Sequence, residues 1–161
     1  MSAVQERESP IEIVGRFLRS APVDLHGIAA GLGLFVVQRL DMSPSVLGSI
    51  KRDGPRYRIE VNGRDGENRK RFTLAHEIAH YVLHRDLIGD GVTDDAMYRS
   101  GGKLSDEYEV QANKYAASIL MPAQLVREAF NRGEKSYAAM AARFQVSPQA
   151  AEIRMKELRL G

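Results

Sequence analysis

Residues 71–84 read RFTLAHEIAHYVLH and gather three of the chain's four histidines into nine positions, with Glu77 directly after the first. A spacing of four sets His76 and His80 on one helix face about one turn apart, so both imidazoles can reach one ion. Glu77, about 100° round the helix from His76, can reach a water on that ion. Zinc takes neutral nitrogen donors and leaves a position open for water, whose pKa it lowers; a carboxylate then removes the proton as the water attacks a polarised carbonyl. The residue types of HEIAH are therefore those of metal-assisted hydrolysis. Against this stands the plainer reading of three histidines satisfied within a core helix.

A third ligand is required. The chain has no cysteine, so His, Asp and Glu are the available ligand types, and disulfides and thiolate catalysis are excluded. His84 continues the four-residue spacing but lies about 12 Å along the axis from His76, too far for both rings to close on one ion at about 2 Å. The longer His-Glu-x-x-His-x-x-Gly-x-x-His pattern also fails, because Leu83 and Asp86 hold its Gly and His positions. His84 is read instead as a residue of the helix C-terminus, interacting with free carbonyls. A carboxylate from another helix is expected. In SDEYEVQANKYAASILMP, Glu109 shares a face with Ala112, Asn113 and Ala116, small neighbours that let the histidine helix approach. Glu109 is the third ligand on this reading, with Glu107 as the fallback, and Asn113 is placed to accept a hydrogen bond from a ligand imidazole.

The elements that must position these residues follow from periodicity and capping. Helical pattern runs from Glu67 to about Arg85, with Phe72, Ala75, Ala79, Val82 and Leu83 beside the histidine face. Ser105 caps the second ligand helix, Asp106 and Glu107 suit its positive end, and Pro122 follows it. Upstream, SPIEIVGRFLRS and DLHGIAAGLG are short helices capped by Ser9 and Asp24, the second ending at Gly31 or Gly33. LFVVQRL, SVLGSIKR and YRIEVNG are β-rich, the last two flanking the turn signal DGP, which predicts an antiparallel sheet of about three strands. Residues 86–104, rich in Gly and Asp, read as a loop. PAQLVREAFNRG is a further helix, and SYAAMAARFQVSPQAAEIRMKELRL gives two helices separated by QVS. The fold class is α+β.

At 161 residues the chain reads as one domain over 1–161, with 1–9 flexible and 134–161 forming a helix-turn-helix-like C-terminal part. No signal-type N-terminus or membrane-length apolar run is seen, so a cytoplasmic protein is expected. Net charge is +2 but uneven: residues 51–71 carry eight basic against four acidic side chains, residues 86–109 two against seven. Such asymmetry can steer a partner, and a solvated surface explains it equally well.

The chain resembles the ImmA/IrrE family of metallopeptidases in RFTLAHEIAH and in EVQANKYAASILMP, two motifs in the family's order. The likeness extends to PVDLHGIAAGLG, YRIEVNG and FQVSPQAAEIRMKEL. It implies a zincin-like fold with a small antiparallel sheet, a His-Glu-x-x-His helix, a second ligand helix and a C-terminal helix-turn-helix-like pair. It implies His76, His80 and Glu109 as zinc ligands of a gluzincin-like set and Glu77 as general base, the same four residues reached above. Asn113 stands where the wider glutamate-zincins usually place an aspartate. Family members cut helix-turn-helix repressors encoded nearby, relieving transcriptional repression in stress responses or mobile elements. The expected function is accordingly a zinc-dependent endopeptidase acting on such a repressor; manganese or iron would suit the same donors.

A peptidase of this kind would lay its substrate as a strand against YRIEVNG. Tyr98, Arg99 and Tyr108 are open candidates for an oxyanion donor. The competing reading is a DNA-binding or repressor-binding module that acts without proteolysis. In it, Gln149 and Arg154 would face a groove, with Arg143, Lys156 and Arg159 near phosphates. The plainer account of the same helices is packing on the core through Met140, Phe144, Val146 and Ile153.

Overall fold

The computed structural model describes residues 8–95 and 105–161. The expected flexibility of residues 1–9 therefore falls largely outside the described residues. Chain order is α1 (Pro10–Gly15), α2 (Leu25–Gly31), β1 (Phe35–Arg39), β2 (Val46–Asp53), β3 (Arg56–Asn62), α3 (Glu67–Ile88), β4 (Gly91–Asp95), α4 (Asp106–Leu120), α5 (Ala123–Asn131), α6 (Tyr137–Phe144) and α7 (Pro148–Glu157). The α+β class holds. Ser9, Asp24 and Ser147 cap their helices as expected, each accepting from a backbone N–H three residues on.

The sheet corrects the antiparallel expectation. It has four strands in the order β1-β3-β2-β4, and β1 runs parallel to β3. The β2–β3 hairpin turns through Gly54, whose φ of 63° is the left-handed value that such a tight turn requires of its first central residue. The chain leaves β1, passes the end of β3 and enters β2, so that β3 inserts between them. Asn62 holds that crossing in place: its buried amide donates to Ser43 O at 3.2 Å and Val46 O at 2.8 Å.

The expected loop over 86–104 is also corrected within its described part. Helix α3 continues to Ile88, and β4 then pairs antiparallel with β2. Buried Ile88 and Val92 supply apolar anchors, and Tyr57 Oη donates to Gly89 O at 2.8 Å. A side chain at Gly91 would sit 2.8 Å from Ile50 O, so only glycine lets β4 lie this close to β2.

Helix α3 packs on one side against β2 and β3 and on the other against α4. Ile50, Ile59 and Val61 from the sheet meet Leu74, Ala75 and Ile78 in one apolar core. Alanines 112 and 116 of α4 are buried and let the two helices approach closely. Further along, α6 packs on α7, burying Met140, Phe144, Val146, Ala151 and Met155. Ile153, expected among these contacts, is 53% exposed, because α7 turns Ala151 and Met155 inward instead. No helix among the described residues is long and apolar enough to cross a membrane.

Candidate metal centre

The centre is formed where α3 faces α4. His76 and His80 point from consecutive turns of α3, their ring centroids 4.5 Å apart and nearly perpendicular. From α4, the Glu109 carboxylate stands between them: Oε2 is 3.0 Å from His76 Nε2, and Oε1 is 3.2 Å from His80 Nε2. One ligand-type atom from each of the three lies within 4.8 Å of the others, and all three side chains are buried. Glu107, the fallback, is exposed, whereas Glu109 is 2% exposed. Local sequence explains the choice, since the alanine face of α4 that contacts α3 includes position 109 and not 107.

These donors fit a metal ion. Two atoms on a tetrahedral zinc at about 2.0–2.1 Å lie roughly 3.3 Å apart, close to the carboxylate–imidazole separations found here. Two nitrogen donors and one oxygen are also the chemistry of an open, catalytic type of zinc site rather than of a closed structural one.

Glu77 is fully buried and stands beside the cluster without being part of it. Its neighbour across the α3–sheet interface is Gly48 of β2. A Cβ added at Gly48 would be 2.6 Å from Glu60 O, 2.6 Å from Thr73 Cγ2 and 3.6 Å from Glu77 Oε2. Gly48 is thus a residue that sequence reasoning missed, although a lone glycine within a strand pattern is a signal of close backbone approach. Gly48→Ala is expected to destabilise the fold by about 1–3 kcal/mol, as overpacking of a filled core does. Urea unfolding checks this; a loss under about 0.5 kcal/mol would mean that α3 and β2 separate freely there.

His84 stands where the regular helix breaks, as expected: its φ −126° and ψ 20° are non-helical, and two helical segments of α3 meet there, but its ring is buried against the centre instead of facing free carbonyls. His84 Nδ1 is 3.1 Å from His80 Nδ1, and His84 Nε2 is 2.8 Å from Gln111 Oε1. Tyr108 rests edge-on against the His84 ring at 5.0 Å. The other two oxyanion candidates, Tyr98 and Arg99, lie outside the described residues. Asn113 follows Glu109 by one turn and is half-buried.

Two surroundings complete the geometry. Phe72 stacks on His76 at 6.2 Å, and it also borders an apolar cleft of about 230 Å³ with Asn113, Lys114, Ala117, Ala150 and Ile153. Arg71 ties the start of α3 to the segment before α2, donating to Val23 O at 3.1 Å; burial lowers its pKa, partly offset by Asp24. The strand edge expected at YRIEVNG is not there, because β3 is flanked by β1 and β2. The outer strand nearest Glu77 is β4, since Gly48 pairs with Asp94 in the sheet.

The architecture is thus α+β, with a buried His/His/Glu cluster between two helices that could hold a metal ion. The chain belongs to the peptidase M78 family, the IrrE N-terminal-like domain, whose model matches residues 32–156. It is 33% identical over 141 residues to the radiation response metalloprotease IrrE of Deinococcus radiodurans, covering 83% of this chain and 40% of that protein. The radiation response metalloprotease IrrE of Deinococcus deserti is 31% identical over 141 residues, with 83% of this chain and 47% of that protein covered. The chain thus spans less than half the length of these relatives. Among solved structures, a Mycobacterium tuberculosis transcriptional regulator shares the fold, with a TM-score of 0.62 and 16% identity over 91% of this chain and 46% of that one.

Proposed function

We propose that this protein is a cytoplasmic, zinc-dependent endopeptidase that cleaves a helix-turn-helix transcriptional repressor and so relieves repression in a stress response. The observation that carries the reading is the convergence of His76, His80 and Glu109 with Glu77 buried alongside. Family membership and two relatives named as metalloproteases support it. His76, His80 and Glu109 would hold the ion, which when bound polarises the scissile carbonyl and acidifies water. Glu77 takes the proton of the attacking water and delivers it to the departing amine. The substrate backbone pairs with the outer edge of β4, where main-chain hydrogen bonds hold an extended peptide with little demand on its sequence. The cleft beside Phe72 and Ile153 receives an apolar side chain. Residues 1–161 act as one peptidase domain, with the helix-turn-helix-like α6–α7 pair contributing to the wall of that cleft.

The α6–α7 pair also motivates the second reading, a DNA-binding or repressor-binding module without proteolysis. In its turn Gln145 is left-handed and Ser147 caps α7. Three of the four basic residues such a module would use have partners within the protein. Arg154 donates to Met121 O at 2.9 Å and its side chain is 12% exposed. Arg143 donates twice to Glu134 at 2.6 Å, bonds that hold the Glu134 carboxyl below its ordinary pKa. Lys156 pairs with Glu152.

The test is incubation of zinc-loaded protein with helix-turn-helix repressors encoded near its gene. Two discrete fragments, absent with a chelator and restored by zinc, are expected. An intact repressor held in a stable complex, or a salt-dependent shift of DNA mobility without cleavage, would replace this reading with the second one.

A further inference from the structure

We propose that Gln111 and His84 form a relay that fixes the tautomer of His80, so that its Nε2 lone pair faces Glu109 and the metal position. The inference rests on the metal-site reading above and concerns positioning residues, not ligands. It follows from which atoms can donate. Gln111 Oε1 is a carbonyl oxygen and only accepts, so the hydrogen in its 2.8 Å contact belongs to His84 Nε2. A neutral His84 with its hydrogen on Nε2 has a lone pair on Nδ1. The 3.1 Å contact between His84 Nδ1 and His80 Nδ1 then takes its hydrogen from His80. With that hydrogen on Nδ1, His80 Nε2 carries the ring's lone pair, directed at the Glu109 carboxylate 3.2–3.3 Å away. Two such electron-rich groups face each other favourably across a metal cation or a shared proton.

The surroundings keep the relay in place. His84 is 3% exposed, Tyr108 presses edge-on against its ring, and its backbone leaves the helical range at φ −126°, ψ 20°. Gln111 lies on α4 two residues past Glu109, so the relay joins the same two helices as the metal centre, one turn further along α3. Metal-bound histidines commonly donate their second ring N–H to an acceptor that orients them, and loss of that acceptor costs about 10- to 100-fold in metal affinity. Here the acceptor is another imidazole, itself oriented by an amide.

The experiment is nitrogen-15 NMR of the imidazoles in the metal-free protein, in mildly alkaline buffer, together with zinc affinity by chelator competition. In the wild type the hydrogen of His80 is expected on Nδ1. His84→Phe keeps the ring against Tyr108 but removes the acceptor; His80 is expected to shift toward the Nε2–H form and zinc affinity to fall about 10- to 100-fold. His84→Gln, whose side-chain oxygen can accept, is expected to recover most of that loss, which a purely structural role would not predict. Gln111 is exposed, so Gln111→Leu is compatible with folding and moves both readouts in the same direction by a smaller amount. The two readouts separate the two claims. A wild-type protein that takes up no zinc overturns the metal-site reading. A wild-type His80 carrying its hydrogen on Nε2, or zinc affinity unchanged in both His84→Phe and Gln111→Leu, overturns the relay.

Discussion

Glu77→Gln is expected to slow repressor cleavage by about 10²- to 10⁴-fold, the usual contribution of a positioned acid–base group. Zinc content should be unchanged. Glutamine has the size and shape of glutamate, and Glu77 lies outside the cluster of ligand-type atoms, so neither packing against β2 nor the His76–His80–Glu109 arrangement is disturbed. What is lost is the capacity to accept a proton. Single-turnover cleavage followed on gels, with thermal unfolding of both proteins, provides the comparison. A variant that cleaves at the wild-type rate would remove Glu77 from the role of base.

Glu109→Ala should act on the other half of the site. Zinc sites bind with a total on the order of 10–16 kcal/mol, and an equal third of that corresponds to roughly a thousandfold weaker binding. The consequence is visible in stability. At zinc concentrations about a hundred times the wild-type dissociation constant, binding adds about 2.7 kcal/mol to the folded state, which for a chain of this size raises Tm by roughly 5–10 °C. The wild type should show that shift and Glu109→Ala almost none of it. The metal-free variant should fold as well as the wild type, because it also removes a buried carboxylate. Equal zinc-induced shifts in both proteins would place the ion elsewhere.

The parts of this site that are local in sequence were legible there. His76, Glu77 and His80 sit at spacings that a helix converts directly into a shared face. Glu109 could be singled out because the alanines at 112 and 116 mark the buried side of α4. Strand pairing was not legible in the same way. LFVVQRL and YRIEVNG carry a β pattern but nothing in it states that β1 lies parallel beside β3; that depends on the crossing held by Asn62. β4 escaped notice because GVTDD has one buried apolar residue at Val92 and owes its place to Gly91 and to a partner some forty residues earlier. The contacts of His84 were hidden for a related reason: it lies outside the His76–His80–Glu109 cluster, and its partner Gln111 is on another helix and looks in sequence like any polar surface residue.

The proposed activity depends most on a metal held jointly by α3 and α4. Elemental analysis of zinc-loaded, dialysed wild type beside Glu77→Gln and Glu109→Ala tests this directly. One zinc per chain in the wild type and in Glu77→Gln, with little or none in Glu109→Ala, is the predicted result. A wild-type protein without metal after zinc loading, or a Glu109→Ala variant that retains a full equivalent, would contradict it.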